Sequence, residues 1–155
     1  MIKFDDSINR FNSNYRFLSN FYNHEILYEG IKYSTLEHAY QAAKTNDLNE
    51  KFMIRDCGDA AKAKKMGRPE FITIRQDWML VNLGIMEELL YIKFSDPKLK
   101  KLLLDTGYKL LIEGNNWGDK FWGAVWSEKE EKFVGANYLG KLLMKVRERL
   151  KKEVV

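Results

Sequence analysis

The stretch YEGIKYSTLEHAYQAAK, residues 28–44, decides how the rest of the chain reads. Glu29-Gly30 stands between Leu27-Tyr28 and Ile31-Lys32-Tyr33, the pattern of a short hairpin. Ser34-Thr35-Leu36-Glu37 then reads as a capping box, with Ser34 as N-cap and Glu37 three residues on. Ala39, Ala42 and Ala43 cost little to hold helical. At about 100° per residue, Glu37, Tyr40, Gln41 and Lys44 fall on one face near the helix start. An acid, a phenol, an amide and an amine side by side are an odd surface for a purely structural helix.

The 155 residues make one domain's worth of chain, long enough for a real core. Four Trp, eight Tyr and nine Phe are enough to fill that core or to line a pocket for a flat ligand. The net charge of +4 suits phosphate-bearing partners, but the basic residues are scattered. The run Lys145–Lys152 reads as a solvated helix face. A lone Cys57 excludes an internal disulfide and reads as a small filler, and no Cys/His cluster has metal-site spacing. No signal peptide and no apolar run of about 18 residues is seen, so a cytoplasmic protein without a membrane span is expected.

Outward from the central helix, Tyr15–Tyr22 reads as a strand or extended segment followed by a turn at Ser19-Asn20. Arg16 reads equally as a surface charge and as a fork for phosphate or carboxylate. Short helices are expected at Leu48–Arg55 and Asp59–Met66, the second capped by Asp59 and stopped by Gly67. A long helix over roughly Gln76–Phe94 carries two apolar stripes, Trp78/Val81/Ile85/Leu89/Ile92 and Met79/Leu83/Met86/Leu90/Phe94. A helix apolar on two faces is expected to be buried between layers. Trp78 either packs in its stripe or stands at a pocket rim. Ser95-Asp96-Pro97 stops this helix and starts another, which ends at Gly107. Tyr108–Glu113 reads as a strand.

GNNWGDKFWGAVW, residues 114–126, has too many aromatics for a plain connector, and loops on a rigid scaffold are where function tends to sit. Trp117, Trp122 and Trp126 either serve a site or plug the open side of a helical core. Asp119 is either functional or a turn residue. The last helix runs over Asn137–Lys152, with Leu139, Leu142, Leu143, Val146 and Leu150 on one face.

Five motifs in order carry a resemblance over nearly the whole chain. FLSNFY at 17–22 leads into YEGIKYSTLEHAYQAAK. AAKAKKMG at 60–67 and IRQDW at 74–78 follow. TGYKLLIEGNNWGDKFWG at 106–123 and NYLGKLLMKVRERL at 137–150 close the series. Together they resemble the NADAR, or YbiA-like, family. The resemblance implies a mainly α (α+β) single domain over 1–155, an orthogonal helical bundle with short β-hairpin elements.

It also implies N-glycosidic chemistry on ribosylated nucleobases. The substrate is then either a ribosylaminopyrimidine phosphate of the riboflavin pathway or ADP-ribosylated guanine in nucleic acid, DNA included. By motif match, the family's key acid falls on Glu37, its tryptophan on Trp78 and its Asp-x-x-Trp on Asp119 and Trp122. Arg16, Ser19, Asn20, Lys44, Lys62 and Asn137 match further polar positions, and Tyr40 shares the face of Glu37. No metal or cofactor is required.

Breaking an N-glycosidic bond builds positive charge on C1′ and the ring oxygen, which a carboxylate stabilises. The departing base needs a proton or hydrogen bond. Indole rings give a flat base something to stack on, and cations hold phosphate. A helix start favours a charged carboxylate, so Glu37 suits a cation stabiliser or base, with Asp119 orienting substrate or assisting departure. A capping box would compete for Glu37. Lys44 is expected either at phosphate or, as a nucleophile, in a Schiff base. The competing readings are a non-catalytic ADP-ribose-binding module and, on charge alone, a nucleic-acid-binding protein.

Overall fold

The computed structural model describes residues 7–154. Its backbone contacts divide the chain into a central unit, Asn20–Lys93, and a flanking unit that joins the segment ending at Ser19 to the segment starting at Phe94.

The central unit opens with the expected hairpin. Its strands are β2 (Asn23–Tyr28) and β3 (Ile31–Thr35); β1 (Ser7–Ile8) precedes them in the other unit. β2 and β3 pair antiparallel, with Tyr28 opposite Ile31 and Ile26 opposite Tyr33. Glu29 and Gly30 both take positive φ, 49° and 82°, as a tight two-residue turn demands. Along β3, Tyr33 and Thr35 point inward while Lys32 and Ser34 are exposed.

That alternation corrects the expected helix start. β3 runs on through Thr35, so Thr35 rather than Ser34 is the N-cap of α1 (Leu36–Ala42). Strand period puts the Ser34 side chain on the outer face and Thr35 on the inner one, beside the helix it caps. Every residue of α1 is buried. Two short helices lie against it, α2 (Leu48–Arg55) and α3 (Ala60–Met66). Asp47 caps α2 by accepting from Glu50 N at 2.9 Å, and Asp59 caps α3 by accepting from Lys62 N at 2.9 Å. Both follow from local sequence, with Asp ahead of a helix-forming run.

The long helix α4 spans Trp78–Phe94. Ile85, Met86, Leu89, Leu90 and Phe94 are buried, as the two stripes require. Its first turn departs from that expectation: Met79 is 79% and Leu80 88% exposed. In that turn Trp78 is buried and the two residues after it are not. Two polar residues, Asn82 and Lys93, are buried along the same helix.

In the flanking unit the expected strand or extended segment after Tyr15 is instead a 3-10 helix, Ser13–Leu18. Phe17 and Leu18 are both buried, and two adjacent inward side chains fit a tight helical turn better than a strand's alternation. The strand expected over Tyr108–Glu113 shrinks to β4 (Leu110–Leu111), which pairs parallel with β1 through Ser7–Leu110 and Ile8–Leu111. Asp96 caps α5 (Pro97–Leu104), accepting from Lys98 N and Leu99 N at 3.1 Å. A hairpin not expected from sequence, β5 (Val125–Ser127) and β6 (Lys132–Val134), sets Trp126 opposite Phe133. Helix α6 (Tyr138–Glu153) buries Leu139, Leu143, Val146 and Leu150. Within the run read as a solvated face, Arg147 is buried and donates to Thr106 Oγ1 at 2.9 Å and Lys109 O at 3.0 Å. The architecture is α+β and mainly helical.

Candidate active site

Glu37 is the second residue of α1 and is 7% exposed. Its backbone N–H donates to Asn20 O at 3.1 Å, tying the helix start to the chain just ahead of β2. The shifted cap changes what the side chain does. Thr35 Oγ1 accepts from His38 N at 3.2 Å and lies 2.7 Å from His38 Nδ1. His38 thus takes the position in the capping motif that Glu37 was expected to hold. Its Nε2 lies 2.8 Å from Gly58 O. A carbonyl only accepts, so the network assigns the proton to Nε2 and leaves Nδ1 to accept from the Thr35 hydroxyl. Glu37 Oε1 accepts from Gln41 Nε2 at 2.7 Å.

Around this carboxylate the central unit gathers several of the expected residues. Tyr40 and Trp78 are both buried, with ring centroids 5.1 Å apart and planes tilted by 53°. Lys44 is half-buried; its Nζ lies 5.9 Å from the Tyr40 ring centroid and donates to Gly67 O at 3.3 Å. Burial pushes the Lys44 ammonium below the usual lysine range, the Glu37 carboxylate pulls it back up, and Lys64 adds to the depression. Arg75 N donates to Lys44 O at 2.7 Å, which fixes the start of α4, and with it Trp78, to the end of α1. Asn20 is buried, its Nδ2 on Met86 Sδ at 3.6 Å. Lys62 is exposed on α3, and its stem lies over Gly58, where an added Cβ would stand 2.9 Å from Lys62 Cδ.

The flanking unit holds the rest. Asp119 Oδ1 accepts from Phe121 N at 3.0 Å and Trp122 N at 2.9 Å, so the Asp-x-x-Trp motif is a side-chain-capped turn. Asn115 clasps the same residue from both sides: Asp119 N donates to Asn115 Oδ1 at 3.0 Å, and Asn115 Nδ2 donates to Asp119 O at 2.8 Å. Asn115 Nδ2 also reaches Glu113 Oε2 at 3.1 Å. Trp122 is half-buried and packs edge-on to Phe121 at 4.8 Å. Trp117 is 63% exposed, so of its two readings the core plug does not hold. Trp126 pairs with Phe133 at 5.3 Å.

Asn137, expected at substrate, has its amide committed to backbone on both ends. Its Oδ1 accepts from Glu113 N and its Nδ2 donates to Leu111 O, each at 2.9 Å. Arg16 is exposed on the 3-10 helix, and Ser19 N donates to Arg16 O at 2.9 Å. Sequence reasoning left out Gln41 as a site residue, though it lies on the face of Glu37, and read Gly67 only as a helix stop. Glu113 and Asn115 were hidden within a strand and a glycine-rich loop.

A buried carboxylate bonded to an amide, next to an amine whose charged form burial disfavours, is the kind of cluster that handles charge developing in a bound substrate. Comparison with known proteins gives the class. The profile of the NADAR domain matches residues 8–151. A curated N-glycosidase of Nostoc punctiforme is 36% identical over 141 residues, covering 88% of this chain and 86% of that protein. The N-glycosidase YbiA of Escherichia coli is 35% identical over 133 residues, covering 85% and 79%. A riboflavin biosynthesis protein of Vibrio vulnificus is 34% identical over 138 residues; the match takes in 88% of this chain but 36% of that longer protein. The NMR structure of Escherichia coli YbiA superposes with a TM-score of 0.79 at 33% identity, covering 96% of this chain and 88% of that one.

The chain belongs to the NADAR family. It is an enzyme of the glycosidase class, the activity for which its curated relatives are named. Among the described residues, no helix is long and apolar enough to cross a membrane.

Proposed function

We propose that the chain hydrolyses the N-glycosidic bond of ribosylaminopyrimidine phosphates of the riboflavin pathway. The observation that carries this reading is Glu37, a buried carboxylate that accepts from Gln41 at a helix start whose side-chain cap is Thr35. As the C1′–N bond breaks, the carboxylate stabilises the cation forming at C1′ and the ring oxygen. Water adds at C1′, and the base leaves as the free amine after gaining a proton. The products are ribose phosphate and an aminated pyrimidine. Asp119 orients the substrate or assists departure of the base. Arg16, Ser19, Asn20, Lys62 and Asn137 are carried as substrate contacts by motif match alone, and the bonded amide of Asn137 gives that residue the weakest support. Tyr40, Trp78 and Trp122 supply aromatic surface, with stacking worth roughly 1–3 kcal/mol per base.

The choice of metabolite leans on the name of the Vibrio vulnificus relative. ADP-ribosylated guanine in DNA is the second substrate class, favoured by the net charge of +4. Residues 1–155 are read as one functional domain working in the cytoplasm. Lys44 holds phosphate; its lowered pKa also suits attack on C1′, the amine losing a proton as the base amine departs with one, after which the C1′–O4′ bond opens, O4′ takes a proton, and water hydrolyses the resulting imine.

The test is a product assay on both substrates, run in parallel with Glu37→Gln. Release of the aminopyrimidine, reduced roughly 100-fold or more in the variant, is the expected result. Release of ADP-ribose from DNA alone moves the assignment to the modified base. A Glu37→Gln protein that folds and keeps the full rate removes Glu37 from the mechanism. Borohydride trapping under turnover tests Lys44, and no adduct restricts it to phosphate.

A further inference from the structure

We infer that Gln41 is a positioning residue for Glu37, and that Gly67 is glycine to make room for it. The inference rests on reading Glu37 as the reacting carboxylate.

Gln41 sits one turn beyond Glu37 on α1 and is 4% exposed. Its two amide ends are treated very differently. Nε2 donates to Glu37 Oε1 at 2.7 Å, a charge-assisted distance. Oε1 is buried with no hydrogen-bond partner. A buried carbonyl left unpaired loses its hydration and gains no bond in exchange. A position that only packs would carry Met or Leu and avoid that cost. Turning the amide over would set Oε1 against the carboxylate oxygen, acceptor on acceptor. The orientation adopted therefore serves Glu37 at the expense of the other end.

Gly67 explains where that other end goes. A Cβ at Gly67 would lie 1.9 Å from Gln41 Oε1 and 2.8 Å from Gln41 Cδ. The φ of Gly67 is −78°, which any residue adopts, so the glycine is needed for space and not for backbone freedom. Its carbonyl in turn accepts from Lys44 Nζ at 3.3 Å. Gly67 thus touches two side chains of the Glu37 face while leaving the amide free to point at the carboxylate. The bond pins one oxygen of Glu37 and so fixes the plane of the carboxylate. Lys44, just past the C-cap of α1, feels both the Glu37 carboxylate and Lys64 on α3.

The test uses the full chain, with Gln41→Met as the main variant and Gly67→Ala as the second route to displacing the same amide. Two readouts are taken: kcat and KM on the ribosylaminopyrimidine phosphate, and the carboxyl carbon resonance of Glu37 in ¹³C-labelled protein at fixed pH. That resonance is assigned by its disappearance in Glu37→Gln. The expected result is a kcat lowered roughly 10-fold or more, with KM within about 3-fold, and a displaced Glu37 resonance in both variants. A resonance that stays in place overturns the inference, even if melting temperature falls, because a structural role alone would do that. If Glu37→Gln keeps the full rate while the Gln41→Met resonance moves, the catalytic reading of Glu37 fails and the Gln41–Glu37 coupling stands. If Glu37→Gln is inactive and the resonance does not move, the coupling fails and the catalytic reading stands.

Discussion

Thr35 Oγ1 and His38 Nδ1 stand 2.7 Å apart, and the far side of the same imidazole lies 2.8 Å from Gly58 O. His38 is fully buried, so both ring nitrogens depend on these partners. Replacing it by Ala leaves the Gly58 carbonyl short of a donor and opens a cavity. His38→Ala is expected to lower unfolding free energy by roughly 2–4 kcal/mol. Thr35→Ala, which loses the cap, is expected to cost about 1 kcal/mol. Urea titration of each variant measures both.

Asn137 adopts φ 51° and ψ 43°, and its amide holds Glu113 N and Leu111 O. The motif match places it at substrate; the geometry makes it a clasp between the start of α6 and the chain after β4. Asn137→Ala should therefore destabilise by roughly 2–4 kcal/mol, from two orphaned backbone groups and a strained left-handed backbone. KM measured at a temperature where the variant stays folded should be unchanged. A KM raised 10-fold without loss of stability would return Asn137 to the substrate.

Asp119 separates charge from turn formation. Asn keeps a side-chain oxygen able to accept from Phe121 N and Trp122 N, whereas Ala does not. Asp119→Asn should leave amide exchange at Phe121 and Trp122 near the parent rate and lower kcat roughly 10-fold if the charge acts on substrate. Asp119→Ala should accelerate exchange at both amides as well. Equal kcat in Asp119→Asn and the parent would assign Asp119 to the turn alone.

Lys93 predicts a pH dependence of stability. It is 1% exposed on α4, with Nζ 5.5 Å from the Tyr22 ring centroid, and burial pushes its ammonium down to about 7. An unfolded lysine titrates near 10.4. Between about pH 7 and pH 10 the unfolded chain carries a proton at this position that the folded chain has released. Stability must then rise with pH across that window, at up to about 1.4 kcal/mol per pH unit, and the slope ends below pH 7 where both states are protonated. Lys93→Met should flatten the slope. Urea midpoints at intervals from pH 6 to pH 10 give the comparison.

How much of this was legible in the sequence depended on how far each signal reached along the chain. The Asp59 start of α3 and the Asp96-Pro97 start of α5 were readable because cap and helix are neighbours. The shared face of Glu37, Tyr40 and Lys44 followed from helical period. The cap at Thr35 did not, because it depends on β3 keeping its alternation one residue longer than the Ser34–Glu37 pattern suggests. The 3-10 helix at Ser13–Leu18 was masked by aromatics that also suit a strand. Gly67 against Gln41, and Asn137 against Leu111, are pairings between distant residues, and no local pattern announces them.

The parallel pairing of Ser7–Ile8 with Leu110–Leu111 sets an order of events during synthesis. The flanking unit cannot close its first sheet until the ribosome has delivered β4, long after β1 has emerged. The central unit draws its pairings from one uninterrupted span, Asn20–Lys93, and is complete before that. Its local hairpin and short helices favour early folding, while the closing of β1 on β4 carries the larger loop-closure cost. The stretch bearing Glu37 is therefore expected to acquire its structure on the ribosome, ahead of the loop bearing Asp119. Nascent chains stalled once Lys93 has cleared the ribosome, with β4 still inside it, would already protect the α1 amides from exchange.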